Sequence, residues 1–311
     1  MSETEEKVVN SVESGQLSIE EEVNRLRKAY KKADIIWKTA SICMLVITVL
    51  YIICVFKKVF DVEGYLNAIL AIVMLLGIFV CVYLLPYFLG MNSKMKAYST
   101  KYKEVFIKPI LEEAFSKSEY NDYDKISTRD LTKISMLKKA KSAVANDCIR
   151  GRYKDIKFLR YDLALRYGKK KSSSDCVLII AEVDTGLKEE LQIIDKEFKI
   201  GGVVYDQPEN YCKLLSSNDA FDKQYNIYAK EQKEGQKFLG SSIVGKIAKF
   251  KAGGPIAVFF DKDEIYFIVK KNKDVMEAPV YKEAKKSKAA REAENEVKVI
   301  REWIEILDDC I

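Results

Sequence analysis

The sequence predicts an α+β protein, with an N-terminal transmembrane helical hairpin followed by a cytoplasmic domain that has a largely antiparallel sheet and flanking helices. Three observations favour this class. Thr39–Phe56 and Tyr65–Leu89 contain no charged residue. Apolar and polar residues alternate between Arg152 and Tyr167, which is the period of a strand. Helical spacing returns after residue 231 and again in the last segment.

Both uncharged runs are long enough to cross a bilayer as helices, which takes about 20 apolar residues. We predict spans at 35–56 and 65–89, with Lys38 snorkelling to the interface and Pro86 bending or ending the second helix. Two buried core helices are the alternative, but helices of globular proteins keep a polar stripe. A cleaved signal peptide fits poorly because the preceding segment is acidic at its start and no small-residue cleavage site follows the run.

Basic residues predict the orientation of the two spans. The loop between them offers Lys57 and Lys58, balanced by Asp61 and Glu63. Lysines and arginines lie instead before the first span and after the second, at Arg25, Arg27, Lys28, Lys31, Lys32, Lys94, Lys96, Lys101 and Lys103. By the positive-inside rule, both termini are cytoplasmic and the loop is external. The predicted location is therefore the cell (inner or plasma) membrane.

The predicted organisation has eight parts. They are a disordered N-terminus (1–17), an amphipathic basic helix opening at Ser18 (18–34), the first span (35–56), an external loop (57–64), the second span (65–89), a helical linker region (90–146), the cytoplasmic α+β domain (147–280) and a C-terminal amphipathic helix (281–311). Pro109 is expected to kink the linker helix, and Asn121–Ser127 to form a turn. A break in the alternation between Phe158 and Tyr161 predicts a bulge or bend.

The composition restricts the chemistry that the chain can perform. The 311 residues include no histidine, which removes the commonest general base and the commonest metal ligand. The seven cysteines form no C-x-x-C pair and are expected to be reduced. No catalytic, cofactor-binding or metal-binding residue is therefore predicted. Asp261, Asp263 and Glu264 resemble an acidic pair or metal site, but a hairpin tip explains them better because Asp favours turns.

The stretch GSSIVGKI, Gly240–Ile247, nearly matches the phosphate-binding pattern G-x-x-x-x-G-K-[ST] and fails at its last position. A phosphate-binding loop must leave a buried strand and open a helix, but the preceding EQKEGQKFL is charged. Leu239, Ile243, Ile247 and Phe250 instead form one apolar helical face. The stretch is predicted to be helical, with Lys246 facing solvent or lipid. Pro255–Lys271 follows as a predicted hairpin.

The basic run Lys169, Lys170 and Lys171 is most simply a solvated loop. On a domain tethered to a membrane, it is also a candidate contact with anionic lipid. No RNA-binding pattern or helix-turn-helix accompanies it, so no nucleic-acid partner is predicted.

Two further motifs carry a family resemblance. The first is DCIRG (Asp147–Gly151) ahead of an alternating strand, and the second is FDKQYNIY (Phe221–Tyr228) ahead of a helix and a hairpin. Together with the paired spans, they resemble the bacterial membrane family known as domain of unknown function 3137. Where that family tends to have a strand rich in phenylalanine and glycine, this chain has Val177–Asp184. The resemblance implies a helix at Gly240–Ile247 and brings no established activity, cofactor or catalytic residue.

These observations predict a non-enzymatic, membrane-anchored interaction or regulatory module that binds a protein partner, self-associates, or binds the anionic membrane surface. One alternative is a nucleotide- or small-ligand-binding sensor or enzyme that uses the Lys246 region. Another is a subunit of an oligomeric transporter or channel, although the spans carry no charge at mid-membrane.

Overall fold

The computed structural model divides into two compact units. The first comprises Met1–Val105 and Glu277–Lys288, and the second comprises Phe106–Met276 and Ala289–Ile311. The structure describes residues 3–56, 64–124, 126, 131, 134, 137, 140, 142–167, 172–200, 203–205, 207–239, 243–271 and 276–308.

The first unit is helical. Its helices are α1 (Glu3–Phe56), α2 (Gly64–Phe79), α3 (Leu85–Phe88) and α4 (Met91–Tyr102). A π-helical turn, Val80–Leu84, joins α2 to α3 just before Pro86. Proline has no N–H to donate to the preceding turn, so the helix widens locally at the residue that was predicted to bend it. Gly90 separates α3 from α4 with a φ of 59°, a left-handed conformation that glycine adopts without a steric penalty.

Among the described residues, two helical segments, Ile19–Cys54 and Ile69–Phe88, are long and apolar enough to cross a membrane. Their most apolar windows are not buried inside the protein. Leu45 and Leu75, for example, are 61% and 66% exposed. This exposure distinguishes them from the core helices of a water-soluble protein, whose apolar faces are covered.

The structure starts the first helix earlier than the sequence predicted. The backbone is helical from Glu3, whereas 1–17 was expected to be disordered and a capping box at Ser18 was expected to open the helix. Extending an existing helix adds one hydrogen bond for each residue that is fixed, while nucleating a new helix is costly. A polar segment attached to a long helix can therefore continue it without an apolar face of its own.

A segment that follows the last strand of the sheet packs against α1 and α4 within this unit. Asn24 donates from Nδ2 to the carbonyl of Ala284 at 3.1 Å and accepts from the Ala284 N–H at 3.2 Å. Tyr98 donates to the carbonyl of Pro279 at 2.7 Å. Lys103 pairs with Glu277 at 3.2 Å. These bonds fix the backbone of 277–288 on the helices.

The second unit is α+β, as predicted. It begins with α5 (Lys108–Ala114), which follows a π-helical turn at Lys103–Ile107, so the predicted interruption near Pro109 is confirmed. Its strands are β1 (Ser116–Asp124), β2 (Ser142–Tyr153), β3 (Ile156–Tyr167), β4 (Ser172–Glu182), β5 (Leu191–Asp195), β6 (Lys199–Ile200), β7 (Val203–Val204), β8 (Cys212–Leu214), β9 (Tyr225–Ala229), β10 (Ile256–Phe260) and β11 (Glu264–Lys270). Its remaining helices are α6 (Asp219–Gln224), α7 (Gln232–Leu239), α8 (Ile243–Lys249) and α9 (Lys286–Asp308).

In the described part of the chain, nine strands form one sheet in the order β1-β2-β3-β4-β11-β10-β5-β9-β8. Every neighbouring pair is antiparallel. The predicted hairpin at Pro255–Lys271 is confirmed as β10 and β11. Strands β6 and β7 form a separate small ribbon.

Both faces of the central strands are covered. All residues of β5 and β10 are buried, which is why these strands read as continuous apolar runs and not as alternating ones. On one face, Phe267 stacks on Trp303 of α9 with ring centroids 4.2 Å apart, and Phe250 contacts both rings. On the other face, Tyr161, Leu178 and Phe259 belong to a cluster that also contains Leu131, Ile134 and Leu137.

The predicted helical linker region, 90–146, differs from the structure. Helix α5 ends at Ala114, and β1 and the start of β2 lie within the same range. Asn121–Asp124, part of the predicted turn, lies in β1. Strand β1 is at the edge of the sheet, where pairing with β2 through the backbone is sufficient and a polar sequence is tolerated. The α+β unit therefore begins at Phe106 and not at Asp147.

We expect Phe267→Ala to lower the free energy of unfolding of this unit by about 3–5 kcal/mol, because it leaves a cavity against Trp303. Trp303 fluorescence during urea unfolding, in a Trp37→Phe background, measures the change. Leu215→Ala removes an exposed apolar side chain from the same unit and is the control. An equal loss in both variants would contradict the assignment of Phe267 to the core.

Candidate functional site: a buried charge cluster and a lysine cleft

A β-bulge in β2 shapes the centre of the site. Asn146 pairs with Asp162 and Ile149 with Arg160, so Asp147 and Cys148 together face the single residue between them in β3. Asp147 has a φ of 49°, a left-handed value that Asp tolerates better than most side chains. Its carboxylate accepts a hydrogen bond from the Tyr120 hydroxyl.

The bulge was predicted in β3, and this prediction is wrong. Strand β3 pairs with β4 without interruption from Lys157 to Tyr167. The alternation breaks because both faces of β3 are buried. Phe158, Arg160 and Asp162 lie on one face, while Tyr161 and Leu163 lie on the other and belong to the apolar cluster.

Arg160 is the centre of a buried charge cluster, which we call the Arg160 cluster and define as Asp147, Arg160, Asp162, Lys271 and Glu296. The Arg160 side chain is fully buried. Its Nη1 and Nη2 donate to the two carboxylate oxygens of Asp162 at 2.9 and 3.0 Å. Nη2 also donates to Glu296 of α9 at 2.9 Å, and Nη1 donates to the carbonyl of Asp147 at 3.0 Å. The guanidinium therefore joins β2, β3 and α9.

The cluster holds three carboxyl groups against two cations. Burial raises the pKa of Asp162 to about 7; Arg160 opposes this increase, and Asp147 and Glu296 add to it. Burial alone would lower the pKa of Arg160, but the neighbouring carboxylates raise it above its ordinary value, so Arg160 stays protonated. Taking up one proton near neutral pH removes the excess negative charge.

A small cavity of about 20 Å³ lies beside Asp162 and is lined by Asn146, Leu163, Ala164, Asp175, Cys176 and Lys271. This volume is enough for a single water molecule. The Oδ1 of Asn146 is buried there without a hydrogen-bond partner among the described residues. Burial raises the pKa of the Cys176 thiol well above its ordinary value, so the thiol is not a ready nucleophile.

A larger cleft of about 430 Å³, which we call the lysine cleft, lies on the other side of Lys271. Its lining comprises Lys249, Lys251, Ala252, Gly253, Lys271, Asn295, Glu296, Lys298, Val299 and Glu302. The Nζ of Lys271 is 3.7 Å from Glu296 Oε1 and donates to the carbonyl of Ala252 at 3.5 Å. Lys271 and Glu296 thus belong both to the buried cluster and to the wall of the cleft.

A third opening, of about 590 Å³, lies between α5 and α9. We call it the acidic groove; Ile110, Glu113, Ala114, Glu294, Val297, Lys298, Arg301, Glu302 and Glu305 line it. Arg301 donates to the carbonyl of Ala114 at 2.7 Å and so connects the two helices. Four glutamates and two basic residues line the groove together with three apolar side chains, a combination that suits a polar macromolecular surface.

The residues singled out from the sequence lie elsewhere. Lys246 is in α8, which follows the helix α7 and not a strand, and β10 is antiparallel to both of its neighbours. The phosphate-binding loop therefore lacks its required strand and crossover. Gly240–Ser242 and Lys169–Lys171 lie outside the described residues. Asp261, Asp263 and Glu264 are at the β10–β11 turn, and no group of metal-ligating side chains occurs in the described ranges.

Sequence reasoning did not identify the Arg160 cluster or the lysine cleft. The signal for the cluster was present as two charged residues, Arg160 and Asp162, at positions of β3 that face the same way as Phe158. The cleft has no local signal, because its lysines come from α8, the following loop, the end of β11 and α9.

Residues 176–309 match the sequence model of a family described as protein of unknown function (DUF3137). The match confirms the predicted resemblance to this family over residues 176–309, and it does not include the paired apolar helices. Within the matched DUF3137 segment lie most of β4, the β10–β11 hairpin, the lysine cleft and all of α9. The family match therefore includes the whole lining of the cleft but excludes α1 to α5 and β1 to β3.

Comparisons with curated proteins and with solved structures identify no function. No curated protein matches the chain at a significant level. The crystal structure of the mycobacterial trehalose monomycolate transport factor A, TtfA, is similar with a TM-score of 0.38 and 8% sequence identity, over 63% of this chain and 93% of that chain. A similarity this low supports no argument about function.

We expect Gly245→Ala to stabilise the protein by about 0.5–1 kcal/mol, because alanine loses less backbone entropy than glycine inside a helix. A Cβ at this position of α8 meets no atom within 4 Å. Urea unfolding followed by Trp303 fluorescence measures the change. Gly235→Ala is the contrasting variant and should destabilise, since its Cβ would lie 2.7 Å from Ala229 and Leu214.

We expect the stability of the α+β unit to decrease as pH rises from about 4 to about 7. The pKa of Asp162 is 3.8 in its unperturbed form and about 7 in the folded protein. Between these values the folded state binds more protons than the unfolded state, so raising the pH favours unfolding by up to about 1.4 kcal/mol per pH unit.

The measurement is the urea midpoint at pH 5, 6 and 7. Asp162→Asn should flatten the dependence, while Asp263→Asn, at an exposed turn, should leave it unchanged. Equal slopes in the wild type and Asp162→Asn would show that Asp162 does not take up the proton.

Proposed function

We propose that this protein is a two-pass membrane protein that displays its α+β unit in the cytoplasm as an interaction or regulatory module without enzymatic activity. The observation that carries the proposal is the exposure of the apolar side chains on α1, α2 and α3. Leu45, Leu75 and Phe88 are between 61% and 75% exposed. In water, two such surfaces would favour aggregation, whereas in a bilayer they are solvated by lipid chains.

The charge distribution supports a cytoplasmic location for both termini. Lysines and arginines flank the spans on the side of the α+β unit, and the loop between the spans has basic and acidic residues in balance. The same side of the membrane carries anionic lipid, which attracts basic segments such as Lys169–Lys171.

The binding role is supported by the surface of the α+β unit. The acidic groove offers glutamates around Ile110 and Val297, a combination that fits a basic, partly apolar segment of a protein partner. A protein partner is therefore the occupant that we favour for this groove, and the anionic membrane surface is the alternative for the basic loops.

A nucleotide site at Lys246 has less support, because the strand that should precede the phosphate-binding loop is a helix. A role as a transporter or channel subunit requires several copies, since Thr39–Phe56 and Tyr65–Leu89 carry no charge to line a path for ions.

Reporter fusions test the membrane topology. Alkaline phosphatase fused after Val59 should be active, because that loop is external, and green fluorescent protein fused after Ile311 should be fluorescent. A fluorescent-protein fusion after Asn92 is the matched control for a cytoplasmic position near a span. The reverse pattern, or extraction of the protein by alkaline carbonate, would contradict the proposal.

Site-specific cross-linking tests the groove. A photoreactive residue at Glu294 should give one discrete cross-linked product in intact cells, and the same residue at Lys262, on the β10–β11 turn, should not. Reversing the charge at Glu302 to lysine should reduce the product, because the groove would then repel a basic segment. Identical products at both positions would indicate non-specific contact.

A further inference from the structure

The lysine cleft has the chemistry of an anion site. Four lysines face it, and its two carboxylates are already engaged. Glu296 is bound by Arg160 at 2.9 Å, closer than its 3.7 Å contact with Lys271, and Glu302 is 3.7 Å from Lys298 in a pair open to solvent. Solvent-exposed ion pairs of this kind contribute little interaction free energy. The positive charge of the cleft is therefore incompletely neutralised.

Two of its lysines, Lys249 and Lys251, come from α8 and the loop that follows it. Within the described part of the chain, Lys249 and Lys251 form no ion pair. Lys251 precedes the tight Ala252–Gly253–Gly254 turn, in which Gly253 has a φ of 79°. A Cβ on Gly253 would lie 4.0 Å from Lys271 Nζ, and a Cβ on Gly254 would lie 2.2 Å from the carbonyl oxygen of Lys270. Glycine is thus required for this loop to approach the end of β11.

The same turn provides backbone donors. The N–H groups of Lys251, Ala252, Gly253 and Gly254 make no hydrogen bond to another described residue. Lysine ammonium groups beside unpaired backbone N–H groups are the combination that recognises phosphate oxygens in loop-based sites. The volume of about 430 Å³ is in the range of small-molecule pockets.

Lys271 is positioned to contact such a ligand directly. It is partly buried, and Glu296, which contacts it from α9, is fixed by Arg160. Asn295 and Lys298 of α9 also line the cleft, so a ligand would contact the end of β11, the glycine turn and α9 together. Lysines that only keep the protein surface charged need not come from three elements of the fold to line one cleft.

We propose that the lysine cleft binds a phosphate-bearing anion of small-molecule size, with Lys271 as its central contact and Lys251 and Lys298 as peripheral ones. This goes beyond the proposed function, which concerns the membrane anchor and the acidic groove. The phosphate group can belong to a soluble compound or to a lipid headgroup, since the recognising chemistry is the same.

Isothermal titration calorimetry of the full chain in neutral detergent, with pyrophosphate as the probe, tests the proposal. The wild type should bind saturably, and Lys271→Gln should weaken binding about tenfold, the effect expected for losing one well-placed charge-assisted contact. Lys251→Gln should weaken it about threefold. Lys262→Gln, which removes the same charge from the exposed β10–β11 turn, should leave binding within about twofold of wild type.

A parallel flotation assay with phosphatidylglycerol vesicles, compared with phosphatidylcholine vesicles and using protein reconstituted in nanodiscs of neutral lipid, distinguishes the sources. Lysine-dependent binding of the anionic vesicles without pyrophosphate binding assigns the site to a lipid headgroup. Saturable pyrophosphate binding assigns it to a soluble compound. Both results support the anion site.

Absence of saturable binding to either probe would overturn the proposal, as would an equal effect of Lys262→Gln and Lys271→Gln. Because Lys251 is exposed, Lys251→Gln keeps the test valid if Lys271→Gln does not fold. Neither result bears on the reporter fusions, so failure of the anion site is distinguishable from failure of the membrane proposal.

Discussion

The burial of the Arg160 guanidinium is the constraint on which much of the α+β unit depends. A charge without water must be matched by hydrogen-bond acceptors, because leaving it unpaired costs several kcal/mol. Asp162 provides two acceptors from the same strand, Glu296 provides one from α9, and the bulge turns the Asp147 carbonyl towards it. If α9 moved along the sheet by one turn, Glu296 would leave Arg160 and a buried charge would lose a partner. We infer that the cluster fixes the position of α9, while the stacking of Trp303 on Phe267 provides the apolar contact energy.

This arrangement also determines what faces the lysine cleft. Glu296 uses one carboxylate oxygen for Arg160 and the other for Lys271, so the buried cluster sets the position of the lysine at the inner wall. The glycine turn also borders the cleft: Gly253 has a left-handed φ of 79°, and a Cβ on Gly254 would lie 2.2 Å from the carbonyl oxygen of Lys270. Protonation of a carboxylate in the cluster near neutral pH would weaken its electrostatic attraction to the neighbouring cations. The charge of the buried Arg160 cluster and the charge of the lysine cleft are therefore linked through the two residues that they share, Lys271 and Glu296.

How much of the fold and of the site the sequence could predict depends on how far apart along the chain the interacting residues lie. The β10–β11 hairpin was predicted correctly because Lys262–Asp263 forms a turn and the flanking residues are apolar. The interruption of the helix near Pro109 was predicted correctly because proline lacks the N–H that would continue the helical hydrogen bonds. Strand β1 was missed because its polar sequence carries no apolar period and its pairing with β2 is a backbone interaction. The bulge was assigned to the wrong strand because the alternation of β3 breaks where Arg160 is buried, and its partner Glu296 is 136 residues further along the chain.

The amino-acid sequence by itself determined two apolar helical segments long enough to cross a membrane, the α+β class and the absence of histidine chemistry, because hydropathy, side-chain period and composition are properties of neighbouring residues or of the whole chain. The tertiary structure decided which charges are buried, where the sheet bulges and which lysines face a common cleft. Those outcomes depend on pairing between segments far apart in the chain, where a carboxylate compensates a guanidinium only once the sheet and α9 are packed together.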